Sequence, residues 1–259
     1  MVKILDITYV NSYLKQVADN SSQMNVEDKN LLLSLLGDFE DLFGGTLGDW
    51  STEPANLELK PYSKPFNIRY YPVPRINREN FRKELKRLLE IGVLTPVQQS
   101  QYSTPVFIVP KKEGTVRCIM YYCMLNKQLF RNPYPLPIIG DTMQQLEGFQ
   151  YATSLYLNMG HYNISLSPTS QDMTTIVTEF GKFKYNRLPM GMCASGDIFR
   201  SKVDELLGDI EGVKTYIHDI IVVGKDSFEN HIDHLRIIFV ILHTAGLKVN
   251  ATKCSFGLN

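Results

Sequence analysis

An α+β fold is predicted, built from an antiparallel sheet backed by helices. Short apolar runs come in pairs around turn residues, as at Pro105–Val109 and Thr115–Met120 on either side of Lys111-Lys112-Glu113-Gly114. That layout reads as β-hairpins, and hairpins imply antiparallel pairing. Longer stretches place apolar residues at helical spacing, as with Phe228, Ile232, Leu235, Phe239 and Leu242, which predicts amphipathic helices with one buried face. Strands and helices are mixed along the chain, which favours α+β over α/β.

The bulk numbers agree with such a fold. The 259 residues, 44% hydrophobic and 21% charged, suit one large or two small soluble domains. The longest strictly apolar run, Ile237–Leu242, is far short of a membrane span. The N-terminal residues lack an apolar core with a small-residue cleavage site, so no secretory leader is read. Cys118, Cys123, Cys193 and Cys254 lack paired metal-type spacing and are expected as reduced thiols of an intracellular protein, in cytoplasm or nucleus. Lysine plus arginine balance aspartate plus glutamate, 27 against 27. That argues mildly against a dedicated nucleic-acid binder, while leaving room for a local basic groove.

In chain order, residues 1–26 show no firm periodicity, and Asp19–Asn25 is polar and turn-like. Leu32, Leu35, Leu36, Phe39 and Phe43 predict a helix over Glu27–Phe43, stopped by Gly44-Gly45. Asp49–Pro65, broken by Pro54, Pro61 and Pro65, reads as a linker. Asn77–Ile91 predicts a helix with Phe81, Leu85, Leu88 and Leu89 inward, and with Arg78, Arg82, Lys83, Lys86 and Arg87 on a solvated face. Asn132–Pro137 is a proline-rich connector that cannot be helical. Asp141–Leu146 reads as a short helix closed by Gly148; Tyr151–Leu157, Tyr162–Leu166, Thr174–Thr178 and Lys182–Asn186 read as strands. A helix over Asp197–Ile210 follows, then a hairpin with Tyr216-Ile217-His218-Asp219 at its tip, then a helix over Phe228–Ala245 stopped by Gly246. His231 and His234 stand three apart on that last helix and are read as part of a polar face.

The hairpin segment Thr215–Val222 resembles the active-site hairpin of reverse transcriptases, where a tyrosine, any residue and two aspartates stand at the tip. Further segments resemble gypsy-class LTR retrotransposon polyproteins, in the same order. They are Asp41-Leu42-Phe43, Leu47-Gly48-Asp49-Trp50, Tyr71-Pro72-Val73-Pro74, Leu89–Leu94, Ser103–Lys112, Leu125-Asn126-Lys127, Asn132–Pro137, Arg187-Leu188-Pro189-Met190-Gly191 and Ala245–Asn250. The resemblance implies the fingers and palm of a right-hand polymerase, with an antiparallel palm sheet backed by helices and the thumb absent. It implies an N-terminal helix and linker over 1–64, then the polymerase-like part over 65–259. Fingers are expected over about 65–131 and 167–193, and palm over about 132–166 and 194–259.

The resemblance also implies a chemistry, nucleotidyl transfer to a primer–template from a dNTP with Mg²⁺. Two metal ions stabilise the attacking and leaving oxygens, and Mg²⁺ demands oxygen ligands such as carboxylates. The family supplies three aspartates. Here Leu155-Tyr156-Leu157-Asn158-Met159-Gly160 stands where the family has Leu-Asp-Leu-Asn-Met-Gly, and His218 holds the first aspartate position of the hairpin. Asp219 alone is retained, as catalytic and metal residue, at the least essential of the three positions. Its single charge stands against the four positive charges of two dications. A tyrosine phenol, with a pKa of about 10, is neutral at pH 7, and histidine suits softer metals than Mg²⁺. No bound metal is therefore expected. The bland readings are a space-filling strand tyrosine at Tyr156 and an exposed loop histidine at His218.

Lys111 or Lys112 and Arg117 match basic residues that grip the incoming triphosphate, where charge-assisted contacts are needed. The family's Asp-Phe-Arg reads Tyr121-Tyr122-Cys123 here, and His161 replaces the aromatic residue that screens the sugar 2′-position. Met190 and Gly191 match the Leu-Pro-Met-Gly motif; Met190 and Met192 read equally as template-path or core residues. The reading that follows is a retrotransposon-derived reverse-transcriptase-like domain that is catalytically inactive. Alternatives are an active RNA-directed DNA polymerase that tolerates the substitutions, and a non-enzymatic nucleic-acid-binding or partner subunit that dimerises with an intact reverse transcriptase. No membrane association is expected.

Overall fold

The structure, a computed structural model, describes residues 11–19, 24–111, 114–135, 148–216 and 219–258. Lys112, Ile217, His218 and the helix expected over Asp141–Leu146 lie outside the described residues. Among the described residues, nine strands fall into two sheets. The first has the order β1-β6-β5-β2-β3, formed by β1 (Leu94–Val97), β2 (Thr104–Pro110), β3 (Val116–Met120), β5 (Ile176–Thr178) and β6 (Gly181–Tyr185). The second has the order β7-β8-β4-β9, formed by β4 (Tyr151–Tyr156), β7 (Val213–Tyr216), β8 (Asp219–Gly224) and β9 (Ser255–Leu258).

Every pairing in the second sheet is antiparallel. The first sheet is mixed, because β2 and β5 run parallel through Thr104↔Ile176 and Pro105↔Val177. The hairpins read from sequence are present in β2–β3, β5–β6 and β7–β8. Strands β1 and β9 go beyond the elements the sequence predicts. Each has only four residues, too few for a period-two pattern to stand out.

Helices cover the sheets where apolar stripes predict. Helix α3 (Arg75–Glu90) buries Phe81, Leu85 and Leu88 and packs on β1 and β3. After the short α4 (Cys123–Gln128) and α5 (Pro168–Met173), α6 (Ser195–Leu207) packs on β7, and α7 (Phe228–Thr244) packs on β8. Two helices thus back the antiparallel sheet. The ends of α7 follow from its chemistry: the Ser227 side chain accepts from the Asn230 N–H at the start, and Gly246 takes a left-handed φ of 76° beyond the end.

Several expectations are corrected. The helix over Glu27–Phe43 is two pieces, α2 (Val26–Asp38) and a 3-10 turn over Glu40–Phe43. The break at Phe39, with its N–H turned back to the Gly37 carbonyl, swings Phe43 edge-on to Phe239 at 5.4 Å. A further helix, α1 (Asn11–Asp19), occupies the stretch read as lacking periodicity and buries Leu14 and Ala18. Tyr162–Leu166 is not a strand: Gly160–Asn163 is a 3-10 turn, and Ser165 and Leu166 make single bridges to Arg187 and Ala55.

Asp49–Pro65 is not a free linker either. It is a strap hydrogen-bonded at several points to distant backbone. Trp50 N–H donates to Asn163 O, Ala55 N–H to Ser165 O and Lys60 N–H to Gln128 O, while Phe130 N–H donates to Glu58 O. Trp50 is buried edge-on against Phe199 at 6.4 Å. The prolines enforce extension; the neighbouring segments supply the partners.

His231 is also a correction. It is buried rather than part of a polar face. Its Nε2 lies 2.8 Å from Thr153 Oγ1 of β4, and its ring stacks on Tyr151 at 6.1 Å. A Cβ at residue 224 would fall 3.0 Å from its Nδ1, so Gly224 is what admits the ring. Burial, aided by the charge of His234, pushes the imidazole down to about 4.

Candidate active site

The tip of the second sheet is formed where β4 ends and β8 begins. Strand register sets Tyr156 opposite Asp219, and Asp219 opposite Tyr216. The end of β4 is pinned by its backbone: Tyr156 O accepts from Asn250 N–H at 2.8 Å, and Tyr156 N–H reaches Cys254 Sγ at 3.4 Å. Asn250 opens a 3-10 turn, Ala251–Lys253, by accepting from Thr252 N–H. That turn carries the Lys253 ammonium over the Tyr156 ring, 4.3 Å from its centroid, well within cation–π range.

Cys254 is a largely buried thiol. Burial pushes it up to about 12, and the negative charge of Asp219 acts in the same direction, so it stays protonated near neutral pH. Among the described residues, no three His, Cys, Asp or Glu side chains gather closely enough to hold a metal ion. The described part of the tip therefore offers one carboxylate, two tyrosines, a protonated thiol and an ammonium. That donor set does not suit a pair of Mg²⁺ ions, which require several anionic oxygens.

The remaining candidate residues divide by exposure. Arg117 lies opposite Val109 near the turn of the β2–β3 hairpin, and both Arg117 and Lys111 are exposed. The turn between the strands is closed by Lys111 N–H to Thr115 O and tied to α3 by Asn80 Nδ2 to Gly114 O. Met190 is exposed, whereas Met192 is buried and belongs to the core. Gly191 has φ 94°, which favours glycine. Its carbonyl accepts from Asn126 Nδ2, and Asn126 Oδ1 accepts from Cys193 N–H. Leu125-Asn126-Lys127 and Leu188–Gly191 are thus two halves of one clamp, with Ser195 Oγ closing on Pro189 O at 2.6 Å.

His161 is buried and stacked on Phe199 at 4.7 Å. Tyr162 is also buried, stacked on Tyr185, and burial pushes its phenol up to about 12. In Tyr121-Tyr122-Cys123 the middle residue is fully buried, with its hydroxyl donating to Thr174 O at 3.1 Å. The flanking Tyr121 and Cys123 are exposed.

Three residues went unread from sequence. Lys253 and Cys254 gave no local signal, because their meaning comes from Tyr156, far away in the chain. Asp197 is another: it accepts from Arg131 Nε at 2.7 Å and from Tyr134 N–H. It anchors the start of the proline-rich connector to α6, and Arg131 holds its carboxyl below the usual carboxylate range.

Comparison with known proteins follows the same lines. Residues 109–258 match the family described as reverse transcriptase (RNA-dependent DNA polymerase). The retrovirus-related Pol polyprotein from transposon opus of Drosophila melanogaster is 30% identical over 236 residues, covering 88% of this chain and 23% of the polyprotein. The transposon Tf2-3 polyprotein of Schizosaccharomyces pombe is 27% identical, covering 90% of this chain and 18% of the polyprotein. The chain thus spans roughly a fifth of the length of these relatives.

Among solved structures, native prototype foamy virus protease-reverse transcriptase superposes with a TM-score of 0.88 at 25% identity, covering 98% of this chain and 34% of that one. The foamy viral protease-reverse transcriptase in complex with an RNA/DNA hybrid gives 0.86 at 24%, covering 99% and 35%. The arrangement of sheets and helices is therefore the fingers and palm of a right-hand polymerase.

Proposed function

The chain belongs to the reverse transcriptase family, and on that premise we propose that its palm no longer performs metal-dependent nucleotidyl transfer and that the domain survives as a nucleic-acid-binding scaffold. It is a reverse-transcriptase-like domain of the kind found in retrotransposon polyproteins. The finer reading rests on one observation. The strand residue opposite Asp219 is Tyr156, and its ring carries an ammonium ion. A neutral phenol under a cation is the reverse of the carboxylate that a divalent metal requires. Losing one preorganised electrostatic group costs on the order of 10²–10³ in rate. Tyr156 and His218 stand at two such positions, and together they leave too little negative charge to hold two ions.

The division into fingers, about 65–131 and 167–193, and palm, about 132–166 and 194–259, is part of this proposal. It is supported by the way the strands of each sheet fall inside those ranges. Lys111, Lys112, Arg117, His161, Met190 and Gly191 remain the proposed nucleotide-side residues. Of these, Lys111 and Arg117 are exposed. His161 is buried against Phe199 and contributes through packing. The solved foamy viral enzyme is in complex with an RNA/DNA hybrid, and nucleic acid of that kind is the partner proposed here. No described helix is long and apolar enough to cross a membrane. An intracellular location is proposed from the nature of the relatives.

Primer extension on an RNA template, with Mg²⁺ and separately with Mn²⁺, tests the proposal. No incorporation by the purified chain is expected. Incorporation that disappears on Asp219→Ala overturns it. The double substitution Tyr156→Asp and His218→Asp then asks whether the scaffold is otherwise competent.

A further inference from the structure

The second sheet has another recess at its far end. Strand β8 starts at the tip with Asp219 and finishes at Gly224, opposite Tyr151 of β4, roughly 17 Å away. There a cleft of about 1030 Å³ opens between the loop that enters β7, the end of β8 and the first turns of α7. We propose that this cleft binds an organic cation, an alkylguanidinium or alkylammonium group, with His231 Nδ1 as its buried acceptor. The inference is independent of the reading given to the palm tip.

His231 is 1% exposed, and its Nδ1 has no hydrogen-bond partner. Its other nitrogen, Nε2, lies 2.8 Å from Thr153 Oγ1, which also accepts from Gly257 N–H. With Nε2–H donating to that hydroxyl, Nδ1 presents a bare lone pair. A buried polar atom left unpaired is costly to a fold, so it marks a position where a donor belongs. Two glycines keep the space beside the histidines open. A Cβ on Gly224 would stand 3.0 Å from His231 Nδ1, and one on Gly212 would stand 3.0 Å from His234 Cε1. Both glycines and both histidines line the cleft. The room at Nδ1 is narrow, which suits a terminal N–H group on a slender chain.

The rim is acidic. Asp209, Glu211, Asp226 and Asp233 stand exposed around it, and among the described residues none of these carboxylates has an ion pair or a hydrogen-bond partner. Lys214 and Lys225 are the basic residues of the lining, which leaves a surplus of two negative charges. Burial keeps His231 uncharged at neutral pH, so it adds no repulsion. An anion is repelled at such a mouth and a cation is drawn in. Among the described residues no three side chains gather as ligands for a metal ion, so the cation recognised is one that brings its own N–H donors. Ile210, Val223 and Ile237 supply apolar wall for its alkyl stem.

Nitrogen-15 NMR of the histidine side chains in the whole chain tests this, at constant ionic strength. Agmatine serves as the free cation and N-acetyl-arginine amide as the peptide-borne one. The expected result is a saturable shift at His231 Nδ1, starting from the signature of an unprotonated Nδ1. Asp226→Asn with Asp233→Asn, two exposed changes outside the core, raises Kd about five- to tenfold. Gly224→Ala fills the space at Nδ1 and abolishes its response. Tetramethylammonium, which carries charge without N–H, leaves Nδ1 unmoved. Tighter binding of agmatine assigns the cleft to a free cation, and equal or tighter binding of the blocked arginine assigns it to a basic peptide.

No saturable shift with either probe, the same shift with tetramethylammonium, or an unchanged Kd in the double aspartate variant overturns the inference. A protonated Nδ1 in the free chain overturns it as well, because the lone pair is then absent. Should Gly224→Ala fail to fold, the double aspartate variant decides.

Discussion

The node around Gly48 and Gly246 and the tip around Tyr156 and Asp219 lie in one molecule and resemble the same family, yet they differ in how closely they keep its pattern. At the node, three motifs distant in sequence close on one another. Asp49 N–H donates to Gly246 O, Ser51 N–H to Ala245 O and Trp50 N–H to Asn163 O. Asn158 Nδ2 donates to Thr46 O, and Asn163 Nδ2 to Asn158 O. A Cβ at residue 48 would stand 2.5 Å from Asn163 Oδ1 and 2.6 Å from Gly246 O. Every one of these residues is held by its neighbours, so a change at any of them is felt by folding. At the tip, Tyr156 and Asp219 are only half-buried. An aspartate there answers to chemistry rather than packing. On the proposed reading, the family pattern is kept where the fold needs it and lost where only the reaction did.

The sharpest way to break that comparison is at Gly246. Its φ of 76° is left-handed, and a Cβ would run into the Asp49 carbonyl. Gly246→Ala is expected to cost about 3 kcal/mol, combining left-handed strain with displacement of the strap. Urea unfolding checks it. A loss below about 1 kcal/mol would mean that the strap yields freely and that the node does not constrain the chain.

Below that in size is an acid effect at His231, which joins α7 to the sheet behind the tip. Folding lowers its pKa from 6.5 to about 4. The unfolded chain therefore binds the proton first as pH falls. The stabilisation is complete above the unfolded value and is lost as pH drops from 6.5 towards 4, up to about 3 kcal/mol at the limit and about 2 kcal/mol by pH 5. The Asp41 and Asp197 carboxyls are held below their ordinary value, so their losses come at lower pH. Unfolding free energies measured at pH 7 and pH 5 are expected to converge in His231→Gln. An unchanged pH slope in that variant would place the acid sensitivity elsewhere.

How much was legible follows the same division. Helix α7 and the hairpins could be read because their signals are local: an apolar stripe, a serine cap, a glycine stop, a turn between two apolar runs. Asp49–Pro65 was misread because the partners of its N–H and C=O groups lie on other segments, and three prolines look alike in a linker and in a bonded strap. His231 was read as surface because Gly224, which makes room for its ring, has no apparent connection to it in sequence. At the site, the proposed replacement of family aspartates by Tyr156 and His218 was readable against the family pattern. The ammonium over Tyr156 was not, since it depends on how the turn at Ala251–Lys253 folds back onto β4.

The smallest expected effect bears most directly on the tip. Asp219 starts β8, where its backbone pairs with Tyr156 and Tyr216 regardless of its side chain. No described hydrogen bond or salt bridge to the Asp219 carboxylate accompanies that pairing, in contrast to Asp197, whose carboxylate binds Arg131 and Tyr134. Asp219→Ala is therefore expected to change unfolding free energy by less than about 0.5 kcal/mol, the range of substitutions that disturb no packing or bonded network. A carboxylate kept for catalysis typically sits at a cost, so its removal from a working metal site relieves repulsion and stabilises the fold. A gain of more than about 1 kcal/mol on Asp219→Ala would reveal stored repulsion at the tip.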